Sequence, residues 1–456
     1  MAYVDERIEA ASAPERAPIL PARYVLPFIL VTTLFFSWAL AAQLNDVLIR
    51  QFQKAFDLTR GQSGLIQTAF YGGYFLGAIP AGLVMRKVGY KNGILVGLAL
   101  YFFGALLFYP AAEMRLFPFF LAALYVIAFG LSFLETAANP FVSTMGPPET
   151  GPARLNLAQS FYGIGAFLGP FLGGLFIFSG VEHSPADIAA MTPRDLDAYR
   201  AAEAHAVQLP YLTVAAGVAV IATLIAFARF PAVDEGANSV MAGWRTSFRQ
   251  LLKIRHFRWG VFTQFVYVGA QVAIWSYFID FTKDLSPQTT ERAAAHLLSF
   301  GFLALMVGRF SGAFIMQRWS APKLLCLYAI ANVVLLAVAM TASGSIAIGA
   351  LWLTIFFMSI MFPTIFALGV CNLGSLTKVA SSFMIMAIIG GAMFPPLMGW
   401  LADVTGSLQL ALILPLLGFA AVLAYGSFGY RENESGESHA FCRTHRKGLG
   451  RFRSEN

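Results

Sequence analysis

The sequence predicts an all-α membrane protein of about twelve crossing helices in two related halves. A charge-poor, apolar composition, evenly spaced apolar runs and marker residues recurring at a fixed offset predict it. Of 456 residues, 58% are hydrophobic and 12% charged. Soluble domains have about 25% charged residues, so the balance is that of a polytopic membrane protein. The net charge of +7 does not point to nucleic acid, because the basic residues fall in short stretches between apolar runs. Cys326, Cys371 and Cys442 are far apart and lack metal-ligand spacing.

The N-terminal tail, residues 1–23, is polar and mixed in charge, unlike a cleaved signal peptide. Runs long enough to cross the hydrocarbon core then follow, each needing about 20 apolar residues. In the first half they are Tyr24–Ile49, Ser63–Met85, Asn92–Ala112, Phe117–Thr144, Leu155–Gly180 and Leu209–Phe230. In the second they are Arg258–Phe281, Ala293–Gln317, Pro322–Met340, Ser345–Val370, Val379–Ala402 and Gln409–Phe428. The expected organisation is a tail to residue 23, a six-helix bundle over 24–230, a polar linker over 231–257, a second bundle over 258–430 and a basic tail over 431–456.

Charge placement sets the expected orientation. With both termini cytoplasmic, 22 of the 31 Lys and Arg lie inside and 8 outside, and Arg309 lies within the eighth span. That excess obeys the positive-inside rule. The halves also echo one another. Met85-Arg86-Lys87 after the second span answers Met316-Gln317-Arg318 after the eighth. Pro140 answers Pro363 at an offset of 223 residues, and Pro170 answers Pro395 at 225. Such repeats imply a pseudo-twofold along the membrane normal, with a substrate site between the halves. The long outer loop from Val181 to Gln208 carries no function that the sequence reveals.

Two carboxylates stand well inside the apolar runs. Glu135 is near the middle of the fourth span and Asp46 is late in the first. A charge at the bilayer centre costs about 2.5–3.5 kcal/mol on the insertion scale, so it usually faces a bundle interior or a wet cavity. A carboxyl group there can carry a proton, and it accepts hydrogen bonds when ionised and can donate one when protonated. The bland alternative is a silent pairing with Arg309 or a backbone group; Arg309 itself is expected to neutralise a carboxylate or a helix end.

Polar stripes surround these acids. Asn139 lies one turn beyond Glu135, and Asn156, Gln159 and Gly163 share a face of the fifth span. On the seventh, Gln264, Tyr267, Gln271, Trp275 and Phe278 form one stripe of amides and aromatics. Trp275 alone also fits an interfacial belt, and Trp38 fits either a cavity wall or packing.

Several blocks make the chain resemble a known family. They are Leu44-Asn45-Asp46-Val47-Leu48, Gln67 to Tyr74, Leu134-Glu135-Thr136-Ala137-Ala138-Asn139-Pro140, Arg154 to Gln159, Tyr267 to Gln271, Trp275-Ser276-Tyr277 and Phe383 to Gly391. The chain resembles major facilitator superfamily transporters of the fucose permease family, which includes glucose/galactose permeases. The resemblance implies the superfamily fold, alternating access and proton-driven sugar uptake, with Asp46 and Glu135 as the proton-coupling acids. It makes Trp38, Asn45, Glu135, Asn139, Gln159, Tyr162, Tyr267, Gln271 and Trp275 the candidate substrate-binding residues. There are two departures. Tyr162 stands where family members have asparagine, and Met85 replaces the acidic residue that normally precedes the basic pair after the second helix.

The expected function is import of a monosaccharide, L-fucose or a related hexose, with a proton. The alternative is a uniporter or sodium-coupled sugar carrier of the same fold. No zinc-type His pair, phosphate loop or nucleophile elbow points to an enzyme. No cofactor or metal is expected. The expected setting is a monomer in the inner (plasma) membrane, partnered by sugar, proton and lipid and not by nucleic acid.

Overall fold

The computed structural model describes residues 20–145, 151–178, 183, 185–228, 249–316, 318–371, 373 and 376–430, and nearly all of them are helical. Twelve long helices run in succession. In the first half they are α1 (Val25–Phe56), α2 (Arg60–Met85), α3 (Lys87–Met114), α4 (Phe117–Thr144), α5 (Gly151–Phe176) and α6 (Gln208–Phe227). In the second they are α7 (Arg255–Leu285), α8 (Glu291–Ile315), α9 (Ala321–Thr341), α10 (Gly344–Gly369), α11 (Ala380–Thr405) and α12 (Leu408–Gly429).

Among the described residues, ten candidate spans are long and apolar enough to cross a membrane. The other two crossing helices are α5, apolar over Phe161–Phe176, and α7, 31 residues long but interrupted by Gln264, Gln271 and Asp280. Large side chains on the outside of the bundle stay uncovered, as a lipid-facing surface requires: Phe227 is 85% exposed, and Phe103, Phe310 and Leu417 are also exposed. Near Gly89 the chain turns from α2 into α3 with φ 79° and ψ 169°, a conformation that only glycine adopts readily.

The helix ends depart from the apolar runs in an informative way. α1 continues past Ile49 to Phe56, and α7 continues past Phe281 to Leu285. Both extensions carry charge (Arg50 and Lys54 on α1, Asp284 on α7), which a hydropathy boundary excludes. These charges find partners across the seam between the halves, so the helices continue through them.

At the end of α1, Asp57 takes a left-handed conformation (φ 54°), and Thr59 starts α2 with a capping box. Its hydroxyl accepts from Gln62 N at 3.2 Å, and Gln62 Oε1 accepts from Thr59 N at 3.0 Å. This tight turn delivers the first residues of α2 to α11. A Cβ on Gly64 would lie 2.5 Å from Pro396 Cα, and one on Gly399 would lie 2.4 Å from Arg60 O. Only glycine permits that approach. The loop after α5 contributes a helix, Pro193–His205, capped by Thr192.

Candidate functional site

α1 supplies one wall of the polar interior. Asp46 is 2% exposed, and Gln67 of α2 donates to its Oδ1 at 3.0 Å. The same Gln67 Nε2 lies 3.0 Å from Ser276 Oγ of α7, and Ser276 lies 3.4 Å from Asp46 Oδ1. Asp46 Oδ2 and Gln67 Oε1 are buried without a partner. Three helices from both halves therefore meet on one carboxyl group. Gln67 and Ser276 lie within the family-like blocks, but neutral polar residues are common in such helices and nothing in the pattern singles them out.

Glu135 sits in a different setting. It is half-buried at mid-helix on α4, and no hydrogen bond or ion pair reaches it among the described residues. Tyr162 of α5 lies within electrostatic reach of Glu135, Asp46 and Arg309. Gln43 Nε2 donates to Tyr162 Oη at 3.4 Å, and Trp38 meets the Tyr162 ring edge-on at 6.3 Å. Trp38 is buried and also contacts Phe35 at 4.8 Å between centroids. Trp38, Tyr162 and the two carboxylates thus share one region.

α7 brings a second polar group. Tyr267 Oη donates to Met358 O at 2.9 Å and accepts from Gln271 Nε2 at 2.7 Å. Since the phenol proton is used by Met358, Gln271 must donate, which leaves its Oε1 as an acceptor. Gln264 is fully buried with neither amide atom bonded. Trp275 is 7% exposed and packs against Phe302, so it is an interior tryptophan and not a headgroup anchor; its Nε1 is unbonded. Asn45 is fully buried and likewise unbonded, hence enclosed in this conformation. The side chains of Asn139 and Gln159 lie outside the described residues; their backbones belong to α4 and α5.

Arg309 does not pair with a carboxylate among the described residues. It is exposed toward the C-terminal end of α8, donates from Nε to Ser359 O at 3.2 Å, and lies within electrostatic reach of both Tyr162 and Tyr267. Ser359 is the C-cap of the helical stretch Gly344–Met358, so Arg309 meets a helix end, one of the two partners expected of it, and not a carboxylate.

Above Asp46 the seam is closed by charge. Arg50, one turn beyond Asp46, binds Asp280 of α7 at 3.1 Å and Glu291 of α8 at 2.7 Å. Lys54, one turn further, binds Glu291 at 2.7 Å and Glu203 at 3.1 Å. Arg60 binds Asp284 at 2.6 Å, while the backbone N–H groups of Arg60 and Gly61 donate to Asp403 at 3.1 and 2.8 Å. The second half has four acids between residues 258 and 430, namely Asp280, Asp284, Glu291 and Asp403. All four bind the Arg50–Gly61 stretch. Asp280 and Glu291 are almost fully buried, and leaving such a charge unpaired costs about 3–5 kcal/mol. The 181–208 loop, in which the sequence reveals no function, contributes Glu203 to this cluster, and Glu203 also accepts from Gln51 Nε2 at 2.6 Å. The signal lay in the spacing of Asp46, Arg50 and Lys54 on one face of α1.

A bundle of twelve long helices, whose first and second halves meet through Gln67 and Ser276 on the buried carboxyl group of Asp46, has the architecture of a membrane carrier. The sequence model of the Major Facilitator Superfamily matches residues 27–374, and the chain belongs to that superfamily. It is 44% identical over 408 residues to the L-fucose-proton symporter of Escherichia coli (strain K12), covering 89% of this chain and 93% of that one. It is 37% identical over 400 residues to the glucose/galactose transporter of Brucella abortus biovar 1 (strain 9-941), covering 88% and 93%. The crystal structure of FucP, a Major Facilitator Superfamily transporter, in the outward conformation superposes with a TM-score of 0.67 at 44% identity, covering 90% of this chain and 100% of that one.

Proposed function

We propose that the protein imports a monosaccharide, L-fucose or a related hexose, together with a proton by alternating access. The observation that carries this reading is the pair Asp46 and Glu135, with Asp46 enclosed and Glu135 half-buried and without a partner among the described residues. Acids at membrane depth persist where they serve a transported charge. The names of the fucose and glucose/galactose relatives support a sugar as passenger. Trp38, Tyr162, Tyr267, Gln271 and Trp275 supply the rings and amides that a pyranose needs, with Asn45, Asn139 and Gln159 as further contacts. The protein is a carrier and not an enzyme.

The two transported species divide the work. Asp46 Oδ2, unpartnered, is the atom on which we place a proton; Glu135 holds a second exchangeable site beside the sugar. We also propose that both termini are cytoplasmic, as the Lys and Arg bias supports. The bundles then cover residues 24–230 and 258–430, the membrane is the plasma membrane, and the charged seam closes the outer side. The carrier works as a monomer.

Counterflow in proteoliposomes, screened with labelled fucose, galactose, glucose, mannose and arabinose, tests the passenger. Adding the preferred sugar outside should alkalinise the medium, and a protonophore should abolish accumulation. Uptake that ignores the protonophore would replace this reading with a uniporter, and uptake that follows a sodium gradient would replace it with sodium coupling.

A further inference from the structure

We propose that Arg50, Lys54, Asp280 and Glu291 form the outer gate of the transport cycle, with Glu203 as the partner that keeps Lys54 when the gate opens. The inference rests on the carrier reading and on the orientation proposed above.

The signs of the charges are divided between the halves. The cations stand on α1, and the acids Asp280 and Glu291 stand on α7 and α8. Their partners are 230, 241 and 237 residues apart in sequence, so these are contacts between bundles and not within one. The four side chains form a continuous chain, since Arg50 bridges both acids and Glu291 bridges both cations. Gln53 adds a neutral rung, donating to Asp280 Oδ2 at 3.0 Å and to Ser63 Oγ at 3.0 Å. Asp46 lies directly beneath Arg50, and Ser276, which contacts it, lies directly beneath Asp280. Separating Arg50 from Asp280 therefore also uncovers the carboxyl group that we assign to the proton.

Charge suits a seam that must come apart repeatedly. When an apolar seam opens, it exposes hydrocarbon to water and gains nothing in return. When ion pairs open, the desolvation already incurred on closing is recovered as each ion is hydrated again. Closed and open states are then nearly balanced, as a cycle requires. Glu203 adds an asymmetry. It belongs to the first half and contacts Lys54 at 3.1 Å and Gln51 at 2.6 Å. On opening, Lys54 leaves Glu291 but retains Glu203, so Glu203 favours the open state.

The test reads the seam from outside. Ser63 is fully buried at the seam, and Ser63→Cys places a thiol there with little change of shape. Cells are labelled with a membrane-impermeant maleimide, and the same chain without Ser63→Cys serves as the blank for the native cysteines. Asp280→Asn and Glu291→Gln should each raise labelling about tenfold or more, because removing one partner of a buried pair strongly weakens the state that holds it. Glu203→Gln should lower labelling. Arg50→Lys should stay near the parent and Arg50→Gln should follow Asp280→Asn, which separates charge pairing from misfolding. Unchanged labelling in Asp280→Asn, or equal behaviour of Arg50→Lys and Arg50→Gln, would overturn the gate. Sugar counterflow that persists in Asp280→Asn while accumulation falls supports it. A labelling rise confined to inverted vesicles supports the gate while overturning the orientation. Loss of proton coupling in the parent chain, with these labelling changes intact, would count against the symport reading alone.

Discussion

Asp46 and Glu135 are both acids inside the membrane region, yet the fold treats them in opposite ways. Asp46 is enclosed where α1, α2 and α7 meet, touched by Gln67 and Ser276 and roofed by the Arg50–Asp280 pair. Glu135 is half-buried on α4, with no partner among the described residues. On the readings proposed above, one carboxyl group belongs to the seam that opens and the other to the space in which the passenger sits. The difference teaches that residue type does not set the role. The number of helices meeting on the group does.

The largest effect should come from neutralising either acid. Glu135→Gln and Asp46→Asn should both reduce accumulation to simple equilibration, because each removes a group able to take up and release a proton. Exchange of labelled for unlabelled sugar should survive in Glu135→Gln. The two acids should part in a chemical experiment: a hydrophobic carbodiimide should modify Glu135 well before Asp46, as read by peptide mass spectrometry, and sugar should protect Glu135 more. Equal modification rates would erase the distinction between an enclosed and an open carboxyl group.

These contrasts were only partly legible in the sequence. Glu135 and Asp46 stood out because a charge inside an apolar run is rare and costly. The twelve crossings stood out because each requires a long apolar stretch. The seam did not, because its partners lie more than 200 residues apart and its charges fall at or just beyond the ends of the apolar runs that mark a span. Asp280, next to the last residue of the Arg258–Phe281 run, drew no attention in the sequence, yet it is 1% exposed and accepts from both Arg50 and Gln53. Arg309 could be read as the partner of a carboxylate or of a helix end, and only the structure shows that it takes the helix end at Ser359. Side-chain pairing between halves is three-dimensional information, and periodicity along one helix does not contain it.

A smaller effect is expected at Tyr162, on the open side of the comparison. The phenol is held by Gln43 and by the edge of Trp38, so it shapes the space beside Glu135. Tyr162→Asn would remove the ring, leave a void next to Trp38 and offer an amide to the passenger. Such exchanges in a pocket shift discrimination by about 1–3 kcal/mol, or roughly 10- to 200-fold in relative rate. The check is the ratio of counterflow rates for two sugars before and after the change. An unaltered ratio would remove Tyr162 from the substrate region and leave Trp38 and Gln271 to define it.

The smallest effect belongs to ion pairs at the same end of the molecule that lie outside the seam. Arg115 binds Asp197 at 2.6 Å, as short as any contact in the gate, but the two side chains are 42% and 66% exposed. Arg200 and Asp57, at 2.7 Å, are similarly open to water. Exposed pairs of this kind contribute about 0.2–1 kcal/mol, because water screens them and ordering two long side chains offsets the gain. Arg115→Ala should therefore leave thermal stability, transport and Ser63→Cys labelling close to the parent. Distance alone would rank Arg115–Asp197 with Arg50–Asp280; burial and the crossing between halves separate them. Should Arg115→Ala open the seam as far as Asp280→Asn does, any charge lost at this end would suffice, and the assignment to four particular residues would not stand.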